Sequence, residues 1–333
     1  MMHLKTPFVA NLKAVLLICC GLSHQAIHGN HAAPADSGSC GAKGVALQVL
    51  GSGGPEITYN HRASSGYLLW IDGAARVLVD AGSGVAANFG RSGAHLEDLD
   101  AIVLSHLHVD HSADLPALIK ASYFGARRAD LPVYGPTGNN LMPNTTDYVE
   151  ALLGKDGAFR YLSDYIDPSR RTSYNLMTND IEATGRNEVV VFENERLQLR
   201  ATPVTHGPLP ALAWRIDAGG VSVSFSGDMS GKRETFRELA KGSDLLVAHN
   251  AIPQSVTGSV TNLHMQPATI GAIAAHAKPA QLLLSHRMRR TLGRESETLL
   301  AIRSSYAGVV NFANDMDCIE LNSATVPTKS GHQ

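Results

Sequence analysis

Six residues, His106-Leu107-His108-Val109-Asp110-His111, set three imidazoles and a carboxylate directly behind the apolar run from Ala101 to Ser105. Successive side chains of an extended chain alternate, so His106 and His108 emerge on one side of the backbone. Asp110 and His111 open the next turn and can face the same cavity. Four ligands on one short turn suit two divalent ions better than one, and imidazole with carboxylate favours zinc, with manganese or iron(II) as substitutes.

The 333 residues, 44% of them hydrophobic, are enough for one large α/β core or two smaller ones. A formal charge of −2 shows no nucleic-acid footprint; the one dense basic cluster, Arg287, Arg289, Arg290 and Arg294, is small and local. At the N-terminus, Lys5 and Lys13 precede the apolar run Ala14 to Leu22, with small residues at Ala32, Ala33 and Ala35. That run is too short for a stable membrane anchor and reads as a signal peptide over 1–35, cleaved near Ala33 or Ala35, with a buried helix as the alternative. The mature protein is then expected to be periplasmic or secreted. Only Cys40 and Cys318 would remain, in a compartment that permits disulfides, and they are expected to pair; two unpaired thiols are the alternative.

From Val45 the pattern alternates strands with helices. Val45 to Leu50, Ser65 to Ile71, Arg76 to Asp80 and Ala101 to Ser105 read as strands, and Ala113 to Tyr123 as a helix. The segment 139–186, rich in Asn, Thr, Tyr and Asp, reads as an insertion with helical pieces near the site mouth. Strands resume at Glu188 to Phe192, Leu197 to Pro203, Ala211 to Asp217, Val221 to Ser226 and Leu245 to His249. Then come a helix from Pro267 to Ala277, a strand from Gln281 to Ser285, a helix from Glu295 to Tyr306 and a strand from Val309 to Phe312. Two runs of strands, each followed by helices, point to two stacked sheets with helices outside, one domain over 40–322, and a polar tail over 323–333.

Three later residues sit where a ligand would be expected, after a strand and beside small residues: His206 in Thr205-His206-Gly207, Asp228 in Ser226-Gly227-Asp228, and His286 in Leu284-Ser285-His286. Together with Asp80 in Val79-Asp80-Ala81-Gly82 and the turn from His106 to His111, the ordered set resembles the metallo-β-lactamase superfamily. The resemblance implies an αββα four-layer sandwich with a two-metal site. It would put His106, His108 and His206 on one ion, Asp110, His111 and His286 on the other, and Asp228 between them. Asp80 would orient ligands, unless it is simply a turn-forming Asp before glycine.

Gly51-Ser52-Gly53-Gly54-Pro55, Arg62-Ala63-Ser64-Ser65 and His264-Met265-Gln266-Pro267-Ala268 resemble the ribonuclease Z branch. In that branch a histidine at the position of His264 assists catalysis. His206 and Asp228 lie only 22 positions apart, which leaves no room there for a tRNA-gripping arm. An Asp at 228, where the best-known β-lactamases put a Cys, points to ester hydrolysis. The stretch from Val49 through Tyr123 resembles the arylsulfatases of the metallo-β-lactamase type, and that resemblance implies an exported hydrolase of sulfate esters, with no nucleic-acid partner and a homodimer left open. Hydroxide shared between two divalent ions would be the nucleophile, with Asp110 and His264 as catalytic groups. His264 would assist the leaving oxygen, a helix-capping role being its alternative. His61, Arg62 and Arg287 are weaker candidates for substrate contact, with a turn or a solvated Arg as alternatives. A phosphodiesterase of the ribonuclease Z-like branch acting on small phosphodiesters is the second reading, and a non-catalytic zinc-binding protein the third.

Overall fold

The computed structural model describes residues 40–57, 60–170 and 173–321. The expected signal segment 1–35 and the tail 323–333 lie outside the described residues. In chain order the first half contains β1 (Val45–Gly51), β2 (Gly66–Ile71), β3 (Ala74–Val79), α1 (Val85–Arg91), β4 (Ala101–Val103), α2 (Val109–Ser112), α3 (Leu115–Ser122), β5 (Leu131–Pro136), α4 (Thr145–Leu153) and β6 (Leu176–Ile181). The second contains β7 (Val189–Glu193), β8 (Leu197–Pro203), β9 (Leu212–Ala218), β10 (Val221–Phe225), α5 (Thr235–Leu239), β11 (Leu245–His249), α6 (Pro267–Ala277), β12 (Gln281–Ser285), α7 (Glu295–Arg303), β13 (Val309–Phe312) and β14 (Cys318–Leu321).

These strands form two seven-stranded sheets, ordered β14-β1-β2-β3-β4-β5-β6 and β13-β12-β11-β10-β9-β8-β7. Each begins as an antiparallel meander and becomes parallel from β3 to β6 and from β10 to β13. Tight turns join antiparallel neighbours: Asp72-Gly73 and Gly219-Gly220 all adopt positive φ, as two-residue hairpin turns require. Parallel neighbours need longer crossovers, and the helices supply several of them.

Alternation along each strand divides the apolar residues between layers. Leu47, Val49, Tyr67 and Leu69 face Trp214, Ile216 and Phe225 across the gap between the sheets. The opposite faces carry Ala46, Leu68 and Leu78 toward Phe89 of α1 and Leu118 of α3. On the far side, Leu246 and Leu284 pack on Ile270 and Ile273 of α6 and Ile302 of α7. Both faces of the central strands are therefore apolar, which is why they read as continuous hydrophobic runs. Each fully buried Leu, Val or Phe contributes about 1.5–3 kcal/mol. Two mixed sheets flanked by helices are thus the α/β sandwich expected of the sequence.

Two features depart from the expected outline. The segment 139–186 is not only a helical insertion: it also supplies β6, which extends the first sheet by parallel pairing with β5. Polar Thr178, Asn179 and Asp180 hide that strand from a hydrophobic pattern because it lies on the sheet edge, where one side meets solvent. β14 returns to pair with β1, and a Cys40–Cys318 disulfide fastens it to the start of the described chain. Among the described residues no helix is long and apolar enough to cross a membrane.

Candidate metal centre

The chemistry-bearing side chains leave the carboxyl ends of strands from both sheets, the position at which open α/β sheets present ligands. Asp80 directly follows β3, the segment after β4 carries His106 to His111, and the β8–β9 connection carries His206. Asp228, His249 and His286 follow or end β10, β11 and β12. The sheets are tied just behind this row: Trp214 Nε1 donates to the Leu104 carbonyl at 3.1 Å, and the Leu212 amide to the Ser105 carbonyl at 2.8 Å. Asp80 and His286 both take positive φ, 59° and 55°, a conformation uncommon outside glycine that turns each side chain sharply off its strand. Two glycines allow the crowding. A Cβ on Gly227 would come within 2.9 Å of Ser105 Cβ, and one on Gly54 within 2.8 Å of His286 Cε1.

The imidazoles are held from behind and left open in front. His106 Nδ1 contacts Ser105 Oγ at 3.1 Å, His111 Nδ1 contacts Asp80 Oδ2 at 2.7 Å, and His206 Nδ1 donates to the Leu263 carbonyl at 2.8 Å. The opposite nitrogens of His106 and His111 are buried and have no hydrogen-bond partner. Ligand atoms of His106, His108 and His206 lie within 4.8 Å of one another, as do those of His111, Asp228, His249 and His286. Asp110 Oδ2 is 3.1 Å from His286 Nε2 and 3.5 Å from His111 Nε2. Asp228 stands between the groups, 3.9 Å from His111 Nε2 and 4.0 Å from His206 Nε2. Buried imidazole nitrogens without partners, converging with carboxylates, are a donor set that could hold metal ions.

Electrostatics divides the cluster. Burial, with His111 and His206 close by, drives the His106 pKa well below its ordinary value, and burial and His206 lower that of His108. These rings are neutral and ready to donate a lone pair. Burial opposes a charge on His111, yet Asp80, Asp110 and Asp228 outweigh it and raise its pKa to about 9. Burial likewise disfavours the Asp110 carboxylate, but His111 and His286 overcome this and lower its pKa to about 2. His264 points Nδ1 at Asp228 Oδ2 from 3.6 Å; burial lowers its pKa to about 4, with Asp228 resisting.

Several residues outside the expected set hold it in place. Ser105 Oγ donates to Asp80 and touches both His106 and His111. His249 contacts Asp228 Oδ1 through Nδ1 at 2.9 Å and the Tyr67 hydroxyl through Nε2 at 3.1 Å. A carboxylate only accepts, so Nδ1 carries the proton and Nε2 accepts from Tyr67. With both nitrogens engaged, His249 orients Asp228 instead of joining the ligands. Its signal in the sequence was the same as that of His286, a histidine closing an apolar strand.

The weaker substrate-contact candidates separate. His61 is exposed and lines a groove of about 630 Å³ that runs to Asp110. Arg62 borders that groove, but its guanidinium donates to Ser52, Ala313 and Asn314. Arg287 is 5% exposed, paired with Glu295 and laid over the Phe312 ring. The structure does not bring its guanidinium to the cluster: the chain turns at His286, so the next side chain points the other way.

Comparison with known proteins revises the substrate. The chain is 28% identical over 294 residues to ribonuclease Z of Mycobacterium bovis (strain BCG / Pasteur 1173P2), covering 83% of this chain and 98% of that protein. It is 27% identical over 295 residues to ribonuclease Z of Mycobacterium marinum (strain ATCC BAA-535 / M), covering 84% and 99%. Human tRNase Z, short form, shares the fold with a TM-score of 0.65 at 18% identity, over 83% of this chain and 99% of that one. YhfI from Bacillus subtilis, a metallo-beta-lactamase fold protein, gives 0.60 at 24% identity over 83% and 99%. Two expectations are overturned by relatives named for ribonuclease activity: hydrolysis of sulfate esters and the exclusion of nucleic acid. Sulfate and phosphate esters offer the same tetrahedral oxygens to such ligands, so the residues alone could not separate them. A net charge of −2 sums over every face and says nothing about one groove. The model of the beta-lactamase superfamily domain matches residues 75–287, from β3 through the turn that carries His286. The strand ends that build the cluster fall inside that span, and the chain belongs to the beta-lactamase superfamily of metal-dependent hydrolases.

Proposed function

We propose that the protein is a metal-dependent phosphodiesterase acting on RNA. The observation that carries this reading is the end-to-end similarity to proteins named ribonuclease Z, spanning 98% of their length. The His/Asp cluster agrees with it. His106, His108 and His206 would hold one divalent ion, and Asp110, His111 and His286 the other, with Asp228 between them; zinc is favoured by the donor set, with manganese or iron(II) as substitutes. When bound, such a pair supplies positive charge for the phosphoryl oxygens and makes hydroxide available near neutral pH.

The chain's own residues do the rest. The groove at His61 admits the strand toward Asp110. Asp80, Ser105 and the Leu263 carbonyl keep the free nitrogens of His111, His106 and His206 turned toward the cluster, and His249 fixes Asp228. Hydroxide adds to phosphorus, the bond to the leaving oxygen breaks, and that oxygen gains a proton. The neutral His264 ring, within reach of the cluster but outside the ligand set, donates an N–H hydrogen bond to that oxygen, and the proton itself comes from solvent water. The Cys40–Cys318 disulfide supports an oxidising compartment, periplasmic or extracellular, for this activity.

Purified protein, assayed for metal content by mass spectrometry, should hydrolyse bis(p-nitrophenyl) phosphate and cleave a single-stranded oligoribonucleotide, and lose both activities to a chelator. His264→Ala should keep its metal and lose roughly 10²–10⁴ in turnover. Fully metal-loaded protein that cleaves neither phosphodiester would sink the reading.

A further inference from the structure

Beyond the centre, we propose that the cleft between the end of α3 and the turn Arg160–Tyr165 binds single-stranded RNA, stacking bases on exposed aromatic rings and holding phosphates on two cations. The proposal rests on the RNA-phosphodiesterase reading above.

Four observations carry it. Tyr123, Phe124 and Tyr161 are 65%, 78% and 67% exposed, large rings that burial would ordinarily claim. All three surround one ammonium: Lys120 Nζ lies 4.3 Å from the Tyr123 ring centre, 5.1 Å from Phe124 and 5.9 Å from Tyr161. The cleft holds about 450 Å³ and is lined by Lys120, Tyr123, Arg128, Tyr161 and Asp164, among others. That volume falls within the ~300–1,000 Å³ of small-ligand pockets. Finally, the charges are unbalanced in favour of an anion. Neither Lys120 nor Arg128 pairs with a carboxylate among the described residues, whereas Asp164 is already engaged by Arg170 at 3.7 Å.

Rings beside unpaired cations are how proteins hold single strands, since every base has a face to stack and every nucleotide a phosphate. The cleft is also placed to serve the centre. α3 begins four residues after His111, and α4 is fastened to the same turn by Tyr148 Oη on the Ser112 carbonyl and hydroxyl at 3.1 and 2.9 Å. α3 runs its eight residues from the His turn to the cleft, so about 12 Å of helix separates the two. At the ~3.4 Å rise of a stacked strand that is about four nucleotides. A strand cut at the centre would therefore be gripped a few nucleotides away, with no arm at the His206–Asp228 connection.

The test uses the full-length, metal-loaded protein and a fluorescent, phosphorothioate-linked oligouridylate of about 12 nucleotides, followed by anisotropy. The Tyr123→Ala/Phe124→Ala double variant should weaken binding at least tenfold and leave bis(p-nitrophenyl) phosphate hydrolysis unchanged. Tyr161→Ala should weaken it in the same way if the double variant fails to fold by circular dichroism. Lys120→Gln should reduce the salt slope by about 0.7. Equal binding by folded variants, or hydrolysis of small phosphodiesters by a wild-type protein that does not bind the oligonucleotide, overturns the cleft and leaves the phosphodiesterase reading standing. Cleft-dependent binding without cleavage of any phosphodiester does the reverse. Variants that change only self-association in light scattering would make the cleft an interface between copies and end the proposal.

Discussion

Replacing Asp80 by Asn isolates the role of one buried carboxylate, because the two side chains share a shape and Asn tolerates the positive φ of this position. Asp80 Oδ1 accepts the Ser105 amide at 2.7 Å, and Oδ2 accepts His111 Nδ1 at 2.7 Å, Ser105 Oγ at 2.9 Å and Ser65 Oγ at 3.2 Å. In the variant the remaining oxygen can serve one side only. If it keeps the Ser105 amide, the new NH₂ faces His111. That ring can then accept at Nδ1 only by moving its proton to Nε2, the nitrogen turned to the cluster. If the amide flips, two donors meet at Ser105. Either arrangement leaves a buried donor unmet, at about 1–3 kcal/mol. The first also blocks a ligand nitrogen, for which losses of about 10–100-fold in metal affinity are typical. We expect a melting temperature lowered by a few degrees per kcal/mol, and loss of metal from the His111 side in dialysis against a graded chelator, read by mass spectrometry. Wild-type metal content and melting temperature in the variant would refute the reasoning.

Without metal, stability should depend on pH from both sides. His249 and His264 are lowered to about 4 in the folded chain from 6.5, so unfolding takes up protons and stability falls as pH drops from about 6.5 toward 4. His111 is raised to about 9, so its contribution, present below 6.5, disappears as pH rises through 9. Each is a term of about 3 kcal/mol; a flat denaturation profile of metal-stripped protein between pH 4 and 9 would contradict both. The Cys40–Cys318 disulfide closes a separation of 278 residues. Cys318→Ser should cost about 2–5 kcal/mol in chemical denaturation while metal content is retained, and an unchanged midpoint would show that the β1–β14 pairing suffices alone.

The chain's sequence alone determined the sandwich and the composition of the cluster. Local pattern suffices there: His106 to His111 are contiguous, and strands such as Leu245 to His249 and Gln281 to Ser285 are buried on both faces, so their apolar runs announce them. Only the tertiary structure decided which residues stand behind the ligands. Ser105 and Tyr67 look ordinary in the chain, His249 carries the same strand-end signal as His286, and their roles appear only because two sheets bring residues 182 positions apart into a single hydrogen bond. The same assembly spends Arg62 and Arg287 on structural contacts, which no pattern around them reveals. β6 stayed hidden because an edge strand does not have to be apolar. The cleft at Lys120 arises where α3 meets a turn some forty residues further on. Periodicity records which side of an element is buried, but not what another element sets against its exposed side.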